Sequence, residues 1–252
     1  MMLPVFNQWP QIISRLGSAP RIALFLDFDG TLARLQPRPE QVSLDDSVRR
    51  DLTAMARSPR FRIWVISGRR QSDIRARVQI PGITYLGLHG WEGSGGLVTE
   101  ETRQSLRLAL CRLQASLAEL PGLWIEDKEY AFAVHYREAA ARDVVRARTI
   151  LEGIVLPRGN TFRIEQGKNV WEVLPRELGD KGAAVRQQLA LLRGRYSLVY
   201  MGDDQVDEPA FAALRAGITV RVGRPVPSRA RYRLGGVADV RRFLHQLRTE
   251  FL

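Results

Sequence analysis

Two aspartates two residues apart follow directly on an apolar run near the start of the chain. Asp27 and Asp29 come immediately after residues 22–26, which read IALFL. Since residues i and i+2 of an extended segment point the same way, both carboxylates can face one ligand. Carboxylates that close together repel each other and need a cation between them. The pair therefore predicts a cation-dependent catalytic loop.

The apolar run predicts a buried strand that ends in this loop. A strand that is apolar on both faces belongs to a parallel sheet with helices on each side. Ligands of such sheets bind beyond the carboxyl ends of the strands. Two further apolar runs, residues 61–66 and 197–201, also end in polar residues. We therefore expect an α/β core whose strand ends collect the chemistry.

The other polar residues at predicted strand ends and helix starts each carry a simpler alternative. Ser67 follows the second run, but a serine before glycine is often only a turn or cap. Lys181 opens a predicted helix and can be an ordinary solvated lysine. The acidic cluster at residues 203–208 can merely cap a helix that begins near Asp207.

In this order the four fragments resemble the signature motifs of the haloacid dehalogenase superfamily, which begin with DxDGT at residues 27–31. The resemblance implies a Rossmann-like parallel-sheet core with an inserted α/β cap domain. It also implies that Asp27 attacks phosphorus and that Asp29 protonates the leaving group and then activates water. Ser67 and Lys181 would hold the phosphoryl oxygens.

The same resemblance implies a Mg²⁺ site. Its ligands would be the carboxylates of Asp27 and Asp203 and the backbone carbonyl of Asp29. Asp204 and Asp207 would lie behind these ligands and orient water and Lys181. Amides near Gly30 and Thr31 would donate to the phosphate, since glycine allows a close backbone approach. In place of the superfamily's usual threonine, Val206 stands in the acidic motif, and we expect only a modest effect on loop stability.

The long insertion between Ser67 and Lys181 has the composition of a folded domain. Leucines 106, 110, 113, 117 and 120 recur at helical spacing up to a Pro-Gly pair, and a second helix is predicted at 138–151. Residues 130–137 alternate like a strand with one buried face, and further strands are predicted at 123–127, 161–165 and 170–174. We therefore assign residues 1–92 and 176–252 to the core and 93–175 to an α/β cap.

Segments 126–128, 135–137 and 167–173 of the cap, with 88–92 of the core, resemble the sugar-recognition motifs of trehalose-6-phosphate phosphatases. Charged groups on one sheet face suit a ligand that offers both donors and acceptors. By their spacing, Glu126 shares a face with Lys128, and Lys168 with Glu172. The substrate-binding residues implied by the resemblance, besides Gly30 and Thr31, are Arg69, His89, Gly90, Glu126, Lys128, Arg137, Lys168 and Glu172.

Lysine usage gives a second line of support. The chain holds 38 Lys and Arg residues, but the only lysines are Lys128, Lys168 and Lys181. All three fall inside the motifs above. A compact, rotatable ammonium is not well replaced by a planar guanidinium, which favours specific roles for these three residues.

Charge and cysteine content limit the partners. The net charge of +11 would permit a nucleic-acid or membrane binder, but the arginines are scattered without a basic run or interleaved aromatics. We therefore expect a small-molecule sugar phosphate as partner, with neither nucleic acid nor membrane. The lone Cys111 cannot form an intramolecular disulfide and no signal-peptide pattern is present, so we expect a cytoplasmic monomer or weak oligomer.

Together these features predict a Mg²⁺-dependent phosphatase of trehalose biosynthesis. It would hydrolyse trehalose 6-phosphate to trehalose and phosphate through an aspartyl-phosphate intermediate. One alternative is a related phosphatase of sucrose phosphate or mannosylglycerate phosphate. Another is a non-enzymatic basic binding protein on the same scaffold, although such a protein has no need of a buried charge cluster.

Overall fold

The computed structural model describes residues 2–93, 98–157 and 161–252. The chain divides into two compact units. Unit 1 combines Met1–Ser94 with Asp180–Leu252, and unit 2 is the continuous segment Gly95–Gly179. The crossings predicted from the sequence, at 92/93 and 175/176, lie two and four residues before these divisions. Gly95 and Gly96, at the first crossing, lie outside the described residues.

The elements are numbered in chain order. The strands are β1 (Leu3–Pro4), β2 (Arg21–Asp27), β3 (Phe61–Ile66), β4 (Thr84–Leu86), β5 (Trp124–Asp127), β6 (Phe132–His135), β7 (Phe162–Gly167), β8 (Val170–Pro175), β9 (Tyr196–Gly202), β10 (Ile218–Val222) and β11 (Tyr232–Leu234). The helices are α1 (Trp9–Gly17), α2 (Asp46–Arg57), α3 (Gln71–Val78), α4 (Glu100–Leu117), α5 (Ala141–Val155), α6 (Lys181–Leu191), α7 (Glu208–Ala213) and α8 (Val237–Phe251).

Unit 1 is built on a seven-stranded sheet in the order β1-β11-β10-β9-β2-β3-β4. Every neighbouring pair of strands is parallel. Strand β2 lies between β9 and β3, with Leu26 in register with Met201 and Val65. The carboxyl ends of these three strands therefore lie side by side, which confirms the predicted parallel α/β core.

Strand β2 is central because it is apolar on both faces. Leu24 and Leu26 belong to one apolar cluster, with side chains of α2 and α8. Phe25 points to the opposite cluster, with side chains of α6 and α7, and stacks on Trp64 with ring centroids 4.5 Å apart. Burying each large apolar side chain stabilises the fold by about 1.5–3 kcal/mol.

Unit 2 has its own antiparallel sheet, in the order β5-β6-β8-β7. Its core joins the sheet to α4 and α5 through Leu106, Leu110, Leu113, Phe132, Val134, Ala147, Leu151, Val155, Phe162 and Trp171. This is the sheet backed by two helices that the sequence predicted. Unit 2 thus buries a core of its own.

The elements of unit 2 differ from the predictions at their ends. Helix α4 ends at Leu117, since Leu120 enters a turn before Pro121, which disfavours helix in the residue before it. Helix α5 begins three residues later than predicted and ends four later, because Val155 continues the buried row of Ala147 and Leu151. In β6, Ala133 is buried as well as Phe132 and Val134, and so is Ala131 just before the strand, so the predicted strand with one buried face is wrong.

Across the described ranges, no helix has the length and apolarity required to span a membrane.

Candidate active site

The loop after β2 is a compact turn that presents the two aspartates. The carbonyl of Phe28 accepts hydrogen bonds from the amides of Thr31, Leu32 and Ala33, at 2.9–3.4 Å. Gly30 has a φ of 84° and donates to the carbonyl of Ala33 at 2.8 Å. A side chain at position 30 would overlap the carboxylate of Asp203, so only glycine permits this close approach. The turn therefore brings the end of β2 against the end of β9.

Lys181 links two buried carboxylates at the first turn of α6. Its ammonium lies 2.7 Å from Asp27 Oδ1 and 2.7 Å from Asp207 Oδ1. Asp180 caps the helix by accepting from the amide of Ala183, so the backbone geometry of Lys181 is fixed by its neighbour. Tyr200 donates to the same oxygen of Asp207 at 2.8 Å. Asp207, itself fixed by Tyr200, thereby holds the Lys181 ammonium in contact with Asp27.

Burial dominates the electrostatics of this cluster. It raises the pKa of Asp27 well above its ordinary value; Lys181 lowers that pKa, and the charges of Asp207 and Asp203 raise it further. For Lys181, burial lowers the pKa, but Asp207 and Asp27 outweigh burial and hold the pKa well above its usual value. Burial and the charge of Asp207 also raise the pKa of Tyr200, which remains a neutral donor.

The donor set fits a hard divalent cation. Carboxylate oxygens of Asp27, Asp203 and Asp207 all lie within 4.8 Å of one another, and all three residues are buried. Both oxygens of Asp207 accept hydrogen bonds, from Lys181 and Tyr200 on one side and the Asp204 amide on the other. Asp27 and Asp203 are thus the carboxylates best placed to hold the cation, and one ammonium alone does not balance three buried carboxylates.

The acidic cluster also caps its own turn. The side chain of Asp204 accepts from the amides of Gln205 and Asp207, and the side chain of Asp207 accepts from the amide of Asp204, which forms a reciprocal capping box. The capping alternative therefore applies to Asp204, while Asp207 both caps and contacts Lys181. Val206 leaves this box intact, because both capping side chains are aspartates. Buried Arg221 donates to the carbonyl of Asp204 at 2.6 Å and holds the loop from the side of β10.

Asp29 forms its ion pair with Arg69 and not with Lys181. Arg69 Nε lies 2.7 Å from Asp29 Oδ2, and Nη2 lies 2.8 Å from Oδ1. The Ser67 hydroxyl is 3.5 Å from Asp29 Oδ2 and accepts from the Arg69 amide at 3.2 Å. Arg69, expected as a substrate ligand, is here the partner of Asp29.

Residues 87–92 wrap the end of β3. The amide of His89 donates to the carbonyl of Ser67 at 2.9 Å, and that of Leu88 to the carbonyl of Arg69 at 2.8 Å. His89 itself is buried and, like Leu88, has a positive φ. Gly90 has a φ of 103°, and a Cβ there would overlap the Cβ of Ala184 in α6. The segment is therefore strained locally and locked by its contacts.

In unit 2, the sheet face predicted to bind sugar carries a paired set of charges. Lys128, which is buried, forms an ion pair with Glu172. Glu126 accepts from His135 Nε2 at 3.0 Å, and His135 stacks on Trp124 with ring centroids 3.8 Å apart. Glu126, Lys128 and Glu172 thus share this part of the sheet.

The other two predicted sugar contacts lie in turns. Lys168 is exposed and lies between β7 and β8, next to Asn169, whose φ is 60°. The extended geometry predicted for residues 168–172 is therefore wrong, because the β7–β8 turn interrupts it. Arg137 is exposed and follows β6.

Several residues of these sites were not found from the sequence. Tyr200 lies within an apolar run that predicts a buried strand. A buried tyrosine hydroxyl requires a hydrogen-bond partner, and this requirement could have indicated its role. Arg221 interrupts an otherwise apolar strand, which also indicates a buried cation with a partner. The stacking of Trp124 on His135 follows from strand register, which periodicity does not give.

Comparisons with known proteins show the family of this chain. The sequence model of the trehalose-phosphatase family matches residues 25–233. A Mycobacterium tuberculosis protein described as an uncharacterized glycosyl hydrolase is 35% identical over 97% of this chain, which spans only 19% of that relative. The trehalose-6-phosphate phosphatase of Escherichia coli is 31% identical over 91% of this chain and 87% of its own length.

Among solved structures, the C-terminal domain of Candida albicans trehalose-6-phosphate phosphatase superimposes with a TM-score of 0.84. It covers 98% of both chains at 21% identity, which supports the fold alone. The family model includes the loop after β2, Ser67, Lys181 and the acidic cluster. The chain therefore belongs to the trehalose-phosphatase family.

Proposed function

We propose that this chain is a divalent-cation-dependent phosphatase that hydrolyses trehalose 6-phosphate to trehalose and inorganic phosphate, as a step of trehalose biosynthesis. The observation that carries the proposal is the convergence of Asp27, Lys181 and Asp203 in unit 1. Family membership supports the substrate. Uncatalysed hydrolysis of phosphate monoesters is so slow that several groups must act together on the phosphoryl unit.

In the first step, an oxygen of Asp27 attacks phosphorus and the bond from phosphorus to the sugar oxygen breaks. Asp29 gives its proton to the departing sugar oxygen, so that trehalose leaves as a neutral alcohol. Lys181 and Ser67 donate to the phosphoryl oxygens. The product of this step is an aspartyl phosphate on Asp27.

In the second step, Asp29 removes a proton from water, and the water oxygen attacks phosphorus. The bond between phosphorus and Asp27 breaks, which releases phosphate and restores the carboxylate of Asp27 and the proton of Asp29. Lys181 keeps its proton throughout, since its two carboxylate partners raise its pKa.

The cation would be held by Asp27 and Asp203, with the backbone carbonyl of Asp29. Once bound, it offsets the repulsion between carboxylate and phosphate and stabilises the charge of the transition state. We propose Mg²⁺ because oxygen ligands of this kind suit it. Asp207 holds Lys181, and Gly30 and Thr31 line the phosphate.

We further propose that residues 1–92 and 176–252 form the catalytic domain and that 93–175 form a cap that recognises the sugar. Glu126, Lys128 and Glu172 would contact the sugar hydroxyls. The ion pairs among these residues satisfy the buried charges before a ligand arrives and can be exchanged for hydroxyl groups when it binds. Arg137, Lys168, His89 and Gly90 would complete the binding of substrate.

The test is a phosphate-release assay over a panel of sugar phosphates, with and without Mg²⁺. We expect release from trehalose 6-phosphate to exceed release from sucrose phosphate and mannosylglycerate phosphate, and to be lost with a chelator. Asp27→Asn serves as the blank and should reduce the rate to background. Preference for another sugar phosphate would refute the substrate, and salt-sensitive binding of nucleic acid without any phosphate release would refute the enzyme.

A further inference from the structure

Arg69 is buried, and almost all of its donors are used within the protein. The residue is 8% exposed. Nε and Nη2 donate to the two oxygens of Asp29, at 2.7 and 2.8 Å. Nη1 donates to Asp73 at 2.8 Å, and Nη2 also donates to the carbonyl of Pro39 at 3.0 Å. Four of the five N–H groups of a guanidinium are thus engaged, which leaves little capacity for a substrate.

The arginine is itself fixed from behind. Asp73, on α3, accepts from Arg69 and also pairs with Arg77 at 2.8 Å, one helical turn later. The backbone of Arg69 is held as well, because its amide donates to Ser67 Oγ and its carbonyl accepts from Leu88. Burial lowers the pKa of Arg69, but the hydrogen bonds and charges of Asp29 and Asp73 raise it by more. The net pKa lies above its ordinary value, so the guanidinium remains charged.

We propose that Arg69 is the positioning residue for the Asp29 carboxylate and not a ligand of the substrate. This inference rests on the proposed function only in taking Asp29 as the acid and base. A bidentate arginine fixes both the plane and the direction of a carboxylate. Asp29 is partly exposed, with 27% of its side chain accessible, and so meets the leaving oxygen in a set orientation. Arg69 transfers no proton at any step.

Positioning of an acid has a kinetic signature that binding lacks. An alkyl phosphate needs a proton on its leaving oxygen, whereas p-nitrophenolate departs readily without one. Loss of Arg69 should therefore slow the first step, formation of the aspartyl phosphate, much more from alkyl esters than from p-nitrophenyl phosphate, while the second step is the same for every substrate. Loss of a phosphate ligand would instead raise KM for both substrates.

The experiment compares Arg69→Gln with Arg77→Gln on trehalose 6-phosphate, β-glycerophosphate and p-nitrophenyl phosphate. Arg77 is the matched control, because it also pairs with Asp73 and anchors the carbonyls of Glu40 and Val42, but does not contact Asp29. We expect Arg69→Gln to lower kcat/KM about 10²-fold on both alkyl esters and less than about 3-fold on p-nitrophenyl phosphate, because kcat/KM reports only the steps up to departure of the leaving group. Arg77→Gln should show no such difference between substrates.

Arg69→Lys separates charge from orientation. It keeps a cation but cannot hold both oxygens of Asp29 at once, so it should show the same difference between substrates. Full activity of this variant would overturn the proposal. So would equal losses of kcat/KM on all three substrates, or the same pattern in Arg77→Gln.

A double variant gives the second readout. If Arg69 acts through Asp29, then Asp29→Asn/Arg69→Gln should be no slower on β-glycerophosphate than Asp29→Asn, and additive losses would contradict this. If Arg69→Gln fails to fold, Asp73→Asn replaces it, because it removes one support of Arg69. This variant must also lose more activity on the alkyl esters than on p-nitrophenyl phosphate, by a smaller factor. Equal activity losses on the two kinds of substrate would overturn the proposal. A wild type that hydrolyses β-glycerophosphate but not trehalose 6-phosphate refutes the proposed substrate and leaves this test valid.

Discussion

At the scale of residues, two kinds of cation balance the carboxylates of unit 1. Lys181 balances buried Asp27 and Asp207 with one ammonium, at equal distances of 2.7 Å. Arg69 balances Asp29 and Asp73 with a planar fork. A point charge can serve two carboxylates and a phosphoryl oxygen in turn, whereas a fork fixes one geometry. On the proposed mechanism, Lys181 stands where contacts change and Arg69 stands where a contact must stay.

Glu126 offers a test of the sugar face through its titration. Burial raises its pKa, but the hydrogen bond from His135 and the charge of Lys128 more than offset burial, so the pKa lies below its ordinary value. The folded state then binds the proton of Glu126 less strongly than the unfolded state does. Its ionisation therefore stabilises the fold at neutral pH, and this contribution is lost as pH falls through the lowered pKa.

We predict that His135→Gln reduces this dependence on pH. Without the imidazole hydrogen bond, Glu126 should stabilise the fold less, and the loss of stability below about pH 4 should be smaller than in the wild type. The free energy of unfolding, measured by urea titration of the full chain from neutral to acid pH, reports the difference. Glu152→Gln, on the helical layer of the same unit, is the control, and an unchanged acid profile in His135→Gln would contradict the prediction.

At the scale of elements, the sequence predicted what periodicity and boundaries encode. Strands β2, β3 and β9 were found within a residue or two of their observed ends, because continuous apolar runs stop at polar residues. The insertion's four strands and two helices were found in the same way. The end of α5 was missed because its last buried residue, Val155, lies one turn past the predicted stop at Leu151.

Contacts between side chains of different elements could not be predicted from the sequence. Nothing in the spacing of Asp29 and Arg69 shows that they pair, since 40 residues separate them. Lys168 and Glu172 were expected to share a face from their spacing alone, but Lys168 lies in a turn between two strands, in which Asn169 adopts a left-handed conformation that propensity indicates weakly. Family motifs located the groups at the site, but the partner of each group depends on packing between helices and loops.

The contact of Gly90 with α6 leads to a prediction about these elements. Gly90→Ala must place a Cβ against Ala184, one turn along the helix that begins at Lys181, in a backbone conformation that disfavours any side chain. We expect a loss of about 2–4 kcal/mol in the free energy of unfolding, from backbone strain and overpacking together.

Gly194→Ala is the matched control for this substitution. Its φ is 97°, but nothing lies within 4 Å of the added Cβ, so only the backbone cost of about 1–2 kcal/mol remains. Urea denaturation of both variants measures the difference. Equal destabilisation would show that the contact between Gly90 and Ala184 contributes nothing, and that α6 is positioned by other contacts.

At the scale of the whole molecule, the proposed catalytic groups belong to unit 1, whereas most of the proposed sugar contacts belong to unit 2. His89 and Gly90, also proposed to bind substrate, lie in unit 1. Unit 1 takes its groups from the loop after β2, the end of β3, the start of α6 and the end of β9. Unit 2 is a single inserted segment with its own core. Each unit therefore buries apolar side chains of its own, in two clusters in unit 1 and one in unit 2, which can stabilise it separately.

This division predicts where a bound cation acts. Burial and neighbouring carboxylates oppose the ionised form of Asp27, and a divalent cation favours it, so binding should stabilise unit 1. At about 100 times its dissociation constant, Mg²⁺ should add about 2.7 kcal/mol and slow exchange of the most protected amides of unit 1 by about 10²-fold. Amides of β5–β8 that exchange through opening of unit 2 alone should be unchanged.

Hydrogen exchange with mass spectrometry on the full chain, with Mg²⁺ or with a chelator, measures both units at once. Asp203→Asn removes a proposed ligand while Lys181 keeps its bonds to Asp27 and Asp207, so it should abolish the effect in unit 1. Slowing confined to unit 1 would locate the cation at the strand ends of its sheet. Equal slowing of both units would mean instead that they open together, and the catalytic and sugar-binding parts could not then be treated as separately stable.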